Sequence, residues 1–334
     1  MDNKFQSARF IFVTGIGGAD LASKAVWNAM TMHKPNVAKR IFFLESPDNR
    51  EYEEIREITN NKINGLEEIA LIAVSKSGKT RETLESFRKT FNILSEKFGE
   101  LVTKRTLVIS TEDSPLWDLA EEKNIDRRAW EGMIGGRFSA FTVAHTTVLE
   151  IAGLDVEAFK KGQKIMDEKC SFEDLDNPAK HLAQNIFEYY KKDFDILNFF
   201  TFNTELEDLG KWCRQLVAES LASITPTVSV GPADLHSMLE LYLGGPKNRF
   251  TIFIKSAREI QNNINNTAYD EVTRSYREEG LPFIKYEMEE INEQEIGSFM
   301  EFMIKTIIEL ANLLEVDPYD QPAVDNYKKS LHNS

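Results

Sequence analysis

Short apolar runs alternate with amphipathic stretches through the first half of the chain, and the alternation predicts a parallel α/β fold. Arg9 to Thr14 (RFIFVT) is rich in aromatic and branched residues and reads as a strand that breaks at Gly15-Ile16-Gly17-Gly18. From about Asp20 to Met32, Leu21, Ala25 and Ala29 are spaced to share one helical face. Arg40 to Glu45 is a second strand and Tyr52 to Asn60 a charged helix. Leu71 to Val74 is an apolar run of the kind a buried parallel strand shows, followed by a hydroxyl-rich turn and a helix to about Phe98. Thr106 to Ser110 is a fourth strand, Trp117 to Lys123 a short helix, and Asp126 to Trp130 a fifth, edge strand. Beyond Phe138, Phe141 and Val143 a helix runs through Ile151. Strands alternating with helices imply right-handed crossovers and a sheet covered on both faces.

A polar helical stretch from Leu154 to about Asn177 marks the domain boundary, and a second alternation follows. Ala179 to Lys191 is helical, Ile196 to Phe202 a strand, and Asp208 to Ser223 a helix. Thr227 to Val230, Arg249 to Ile254 and Pro282 to Tyr286 are further strands. Ser298 to Leu314 is an amphipathic closing helix, with Phe299, Phe302, Met303, Thr306 and Ile307 on or near one face. The expected fold class is α/β, with two doubly wound parallel-sheet domains in three-layer αβα form. The first spans residues 1–155 and the second 179–334, with 156–178 as connector.

Composition narrows the partners. The 334-residue chain carries a net charge of −14, which argues against nucleic acid or an anionic membrane as its main partner. An anionic substrate then needs a local cluster of cations, and Lys76, Lys79 and Arg81 are the first candidates. Cys170 and Cys213 are the only cysteines, so no disulfide framework is implied and a reduced cytoplasm fits. No signal-peptide pattern opens the sequence and no apolar run approaches membrane-spanning length.

The stretch Leu71 to Thr83 carries the first chemistry. Ser75, Ser77, Thr80 and Thr83 supply hydroxyls around Gly78, and the helix behind them aims unpaired N–H groups back at the turn. That is an anion site, and phosphate is the usual anion. The same residues also fit a capped turn with nothing bound. A Walker loop ending in Gly78-Lys79-Thr80 is excluded by Ala73, and the Gly15–Asp20 run lacks the last glycine of the dinucleotide fingerprint. Ligands of open α/β sheets sit at the carboxyl ends of strands, which puts Gly15–Gly18 and Ser75–Thr80 on one rim. Arg137 follows Gly135 and Gly136, and reads either as a surface arginine after a glycine turn or as one pointed inward at an anion. Lys211, Gln215 and Glu219 recur at i+4 steps, so they share one helical face, either a solvated stripe or part of a site. The five histidines show no metal-ligand spacing.

The tail, YDQPAVDNYK at 319–328, completes a set of motifs: GIGGADL at 15–21, SKSGKTRET at 75–83, IGGRFS at 134–139, LGKWCRQLVAES at 209–220 and DLHSMLELYLGG at 234–245. In content and order they resemble the glucose-6-phosphate isomerase (phosphoglucose isomerase) family. The resemblance implies two sugar isomerase (SIS) domains. It implies an aldose–ketose isomerase that interconverts glucose 6-phosphate and fructose 6-phosphate through a cis-enediol(ate), in the cytoplasm, with no metal or organic cofactor. It makes Glu219 the base and Arg137 the cation that stabilises the enediolate oxygen. His236 with Lys328 opens the sugar ring. Gly18, Ser75, Lys76, Ser77, Thr80, Gln215 and Gln321 bind the sugar phosphate or orient the site. It further implies a homodimer in which His236 acts in trans. The chain departs from the family at Ala19, where a serine is usual, and at Asp325, where a glutamate is usual. After Glu219 it reads Ser220-Leu221-Ala222-Ser223, where members commonly have Gly and Lys. It begins almost at the first strand and so reads as a short form. A dual glucose/mannose 6-phosphate isomerase and a non-catalytic sugar-phosphate sensor are the alternatives; the joint presence of Glu219, Arg137, His236 and Lys328 favours the enzyme.

Overall fold

The computed structural model describes residues 3–171, 176–257 and 264–324. The chain forms two compact units, Met1–Glu157 and Ala158–Ser334.

In the first unit the elements run β1 (Phe10–Thr14), α1 (Leu21–Thr31), β2 (Arg40–Leu44), α2 (Asn49–Asn61), β3 (Ile69–Ser75), α3 (Arg81–Phe98), β4 (Thr106–Ser110), α4 (Pro115–Glu122), β5 (Asp126–Ala129) and α5 (Val143–Ala152). The strands lie all parallel in the order β2-β1-β3-β4-β5, so β5 is at the edge as expected. Side chains alternate along β1 with the period of two that a strand imposes. Phe10 and Phe12 pack with Tyr52 and Ile55 of α2 and Phe87 and Leu94 of α3. Ile11 and Val13 pack on the other face with Trp27 of α1 and Ala144 and Val148 of α5. β3 is buried at every position because both its faces are covered, which is why its sequence is apolar without alternation. The strand order reverses between β1 and β3, and the crevice beyond their carboxyl ends is where such sheets take ligands.

The second unit begins within α6 (Val156–Cys170) and continues with α7 (Pro178–Tyr190), β6 (Ile196–Thr201), α8 (Glu207–Leu221), β7 (Thr225–Val230), α9 (Ala233–Ser237), α10 (Leu239–Gly244), β8 (Arg249–Ser256), α11 (Ile264–Glu278), β9 (Phe283–Met288) and α12 (Glu293–Leu313). Its four strands are again parallel, in the order β7-β6-β8-β9. One face of this sheet is aromatic: Phe200, Phe202 and Phe253 pack against Tyr242, Tyr269 and Tyr276. α6, expected as a connector, crosses α12 closely. A side chain at Gly162 would collide with the Gln294 backbone, and one at Gly297 with the Phe159 backbone. The sequence reading assigns no element to 264–278. The buried stripe of α11 is Tyr269, Val272, Thr273 and Tyr276, and only one of these is aliphatic, so the helical period is masked.

Candidate active site

Ser75 closes β3 and Arg81 opens α3, with the hydroxyl turn between them. The turn is built by its own hydroxyls. Ser75 Oγ accepts from the Gly78 N–H at 3.2 Å and lies 3.4 Å from Thr80 Oγ1, and Ser77 Oγ accepts from the Lys79 N–H at 3.2 Å. From β4, Ser110 Oγ donates to the Ser75 carbonyl at 2.6 Å and meets Ser114 Oγ at 2.7 Å. Gly78 sits at φ +60° and a Cβ there would lie 2.6 Å from Ser114 Cβ, so both conformation and space require glycine. Thr80 occupies the N-cap of α3 without making a side-chain cap. The helix start, its dipole and the hydroxyls therefore converge on the turn. Lys76 reaches the Met133 carbonyl with its Nζ at 3.0 Å, which ties this turn to the segment carrying Arg137.

The two glycine motifs clasp one another. A Cβ on Gly18 would lie 2.7 Å from Gly136 Cα and 2.8 Å from the Arg137 nitrogen, so the backbones touch where a side chain would separate them. Ser139 Oγ donates to the Gly136 carbonyl at 2.7 Å and lies 3.2 Å from that of Gly18. Arg137 is 2% exposed, so the inward orientation, not the surface one, is observed. Asp20, at the end of the GIGGAD run, is wholly buried. Burial, reinforced by the nearby Glu45, pushes its carboxyl well above the ordinary range despite Lys24. Sequence reasoning gave no role to Asp20, Ser110, Ser114 or Ser139; Asp20 and Ser139 lie within the quoted motifs, and the signal for Ser110 and Ser114 is position beside a turn at the sheet's rim.

In the second unit the i+4 stripe of α8 is not merely solvated. Lys211 pairs with Glu207 at 2.9 Å and Asp208 at 3.1 Å, within the first turns of the helix. Gln215 Nε2 donates to Glu219 Oε1 at 2.8 Å, one helical turn on. Gln321 Nε2, from the tail, donates to Glu219 Oε2 at 3.1 Å. Each carboxylate oxygen thus has its own amide donor, and the half-buried carboxylate is held in one orientation. Gln215 Oε1 is buried with no partner among the described residues. His236 lies on α9, exposed. Asp234 organises that segment by accepting from the Val230 N–H at 2.7 Å and from Ser237 Oγ at 2.8 Å. Lys328 and Asp325 lie outside the described residues. Gly18, Ser75, Lys76, Ser77, Thr80 and Arg137 thus belong to the first unit, and Gln215, Glu219, His236 and Gln321 to the second.

The fold recurs in solved structures. A protein of Thermus thermophilus described only as hypothetical aligns with a TM-score of 0.88 at 21% identity, over 99% of this chain and 85% of its own. A glucose-6-phosphate isomerase from Chlamydia trachomatis gives 0.82 at 18% identity, over 99% and 70%. A tagatose-6-phosphate ketose/aldose isomerase from Escherichia coli gives 0.60 at 12%, over 94% and 85%. At such identities the likeness is one of fold, and the fold is that of the phosphosugar isomerases. Sequence narrows this further. Residues 3–229 match the family model described as phosphoglucose isomerase. A glucose-6-phosphate isomerase of Methanocaldococcus jannaschii is 29% identical, over 96% of this chain and 82% of its own, and one of Mycoplasmopsis pulmonis is 28% identical, over 98% and 83%. The chain belongs to the phosphoglucose isomerase family and is an aldose–ketose isomerase.

Proposed function

We propose that the protein interconverts glucose 6-phosphate and fructose 6-phosphate by metal-free proton transfer between C1 and C2. The observation that carries this reading is the Glu219 carboxylate with a glutamine N–H on each oxygen. A base that removes a proton from one carbon and returns it to the next must keep one orientation over a single face of the substrate, and two amide donors supply that. The substrate phosphate binds at Ser75, Lys76, Ser77 and Thr80, where hydroxyls meet the start of α3. Arg137, a permanent cation almost fully enclosed, stabilises the negative oxygen of the cis-enediolate. Gly18 orients the site by letting the Gly136–Arg137 backbone pack against it, and the orphan Gln215 Oε1 accepts from a sugar hydroxyl. His236 opens the ring with Lys328 and does so on the partner of a homodimer; its exposure on a short helix supports donation to another chain.

The reaction is tested by a coupled assay with fructose 6-phosphate and mannose 6-phosphate in the presence of a chelator. Turnover of the first without the second is expected. Turnover of both makes the enzyme a dual glucose/mannose isomerase, and turnover of neither overturns the proposal. Glu219→Gln keeps the shape and removes the base, so it should lose at least about a hundredfold in kcat while still binding sugar phosphate. The in-trans role is tested by mixing Glu219→Gln and His236→Ala chains. In a two-fold dimer each hybrid keeps one intact site, so random exchange should restore about a quarter of parent activity. No recovery after exchange removes the in-trans role.

A further inference from the structure

His145 sits inside α5 and is fully buried, and nothing in the reaction above uses it. Its ring nitrogens meet groups whose roles are fixed. Nδ1 lies 3.2 Å from the backbone nitrogen of Ser23, which can only donate. Nε2 lies 3.1 Å from the carbonyl oxygen of Gly18, which can only accept. Both demands select one tautomer, with the proton on Nε2 and the lone pair on Nδ1. The neighbouring hydroxyls do not compete. Ser139 Oγ, 3.1 Å from Nε2, gives its proton to the Gly136 carbonyl, and Ser23 Oγ, 3.3 Å from Nδ1, donates to the Asp20 carbonyl at 2.8 Å.

Ser23 is the third residue of α1, so its N–H is among those a helix start leaves without an intrahelical acceptor. Asp20 at the N-cap makes no side-chain cap, and the imidazole of α5 supplies one instead. One ring therefore holds the start of α1, the Gly18 carbonyl and Ser139. Gly18 in turn touches Gly136 and Arg137 along the backbone.

We propose that His145 is a positioning residue for the isomerase reaction: its neutral ring fixes Gly18 against Gly136–Arg137, and so fixes where the Arg137 guanidinium is presented. The proposal rests on the reading of Arg137 as the stabiliser of the enediolate oxygen. The ring is neither acid nor base in the reaction, since it is enclosed and both nitrogens are engaged. Burial pulls its pKa down to about 4, opposed only by the Gly18 carbonyl. The ionisable groups on the segments around it include Asp20 and Lys24 at the start of α1, Glu131 bonded to the Val143 N–H at the start of α5, Arg137 after Gly136, Arg128 on β5, Lys39 bonded to the carbonyl of Ile151 near the end of α5, and Glu150 within α5. None of them sets the ring's titration, which follows burial and the Gly18 carbonyl.

Two experiments test this. In histidine-labelled parent protein, nitrogen-15 spectra should show one ring, assigned by its loss in His145→Gln, protonated on Nε2 and unchanged from about pH 7.5 to about pH 5.5. The other tautomer, or titration in that range, overturns the assignment. In steady-state assays with fructose 6-phosphate, His145→Gln keeps an N–H for Gly18 and should hold kcat within about threefold, whereas His145→Leu should lower kcat about tenfold or more with KM changed less than about threefold. Parent-like kcat in folded His145→Leu overturns the proposal. If His145→Leu does not fold, His145→Asn replaces it under the same tenfold criterion, because it keeps an acceptor for Ser23 but is too short to reach Gly18. An inactive parent refutes the assigned reaction instead, and the spectra still decide the state of the ring.

Discussion

Gly18 shows how a residue can be legible in kind but not in cause. The GIGG run looks like the beginning of a dinucleotide loop and fails that pattern at its last glycine. Its actual reason is a backbone contact with Gly136, which lies far along the chain and which no local pattern displays. Gly18→Ala would set a Cβ 2.5 Å from the Gly136 carbonyl carbon and 2.8 Å from the Arg137 nitrogen, and neither backbone atom can swing aside as a side-chain tip would. Overpacking of this kind costs about 1–3 kcal/mol. The cost should appear as a lower urea midpoint together with a kcat loss of about tenfold or more, because the displaced segment is the one that carries Arg137. A variant with parent kcat would show that the clasp does not position the guanidinium. Glu219 is the opposite case. Its i+4 partner Gln215 could be read from the sequence, since helical spacing alone brings the two together. Gln321 could be tied to it only through the family resemblance, because a donor from the tail has no local signature.

At the level of elements, the strands among the described residues lie within a few residues of where the sequence pattern puts them; for β1, β3 and β4 the cause is burial on both faces, which leaves little choice of side chain. Helix ends were less legible. α4 starts at Pro115, capped by Ser114 Oγ, where the sequence reading begins it at Trp117. α8 is capped at its end by Ala222 at φ +52°, in the left-handed region that favours glycine. An L-residue with a Cβ pays about 1–2 kcal/mol to sit there. Part of that is returned in the unfolded chain, where glycine is the more disordered residue. Ala222→Gly should therefore stabilise the protein by about 0.5–1 kcal/mol, read as a higher denaturant midpoint. An unchanged or lower midpoint would mean that the turn after Glu219 is held open by something other than its own backbone preference. The alanine at this turn thus costs stability.

For the molecule as a whole, the net charge of −14 argued against polyanionic partners but gave no hint of how stability responds to pH. Two fully buried groups of the first unit contribute to that response, and they act in opposite directions. His145 is neutral when folded, with a pKa near 4, and free to charge when unfolded, with its ordinary value of 6.5. Its contribution is complete above about pH 6.5 and is lost as the pH falls toward about 4. Asp20 is raised by burial and by Glu45, so its contribution is present below the ordinary carboxylate value of 3.8 and fades as the pH rises through the raised one. A difference between parent and His145→Gln separates the two, because the amide does not titrate while Asp20 is common to both. A displacement of about 2.5 units corresponds to about 3 kcal/mol. Between about pH 7 and pH 4 the parent should lose up to about that much more stability than the variant, measured from denaturant midpoints at each pH. Parallel losses in the two proteins would mean that the ring of His145 charges in the folded chain as readily as in water, and that the Ser23 and Gly18 contacts do not hold it neutral.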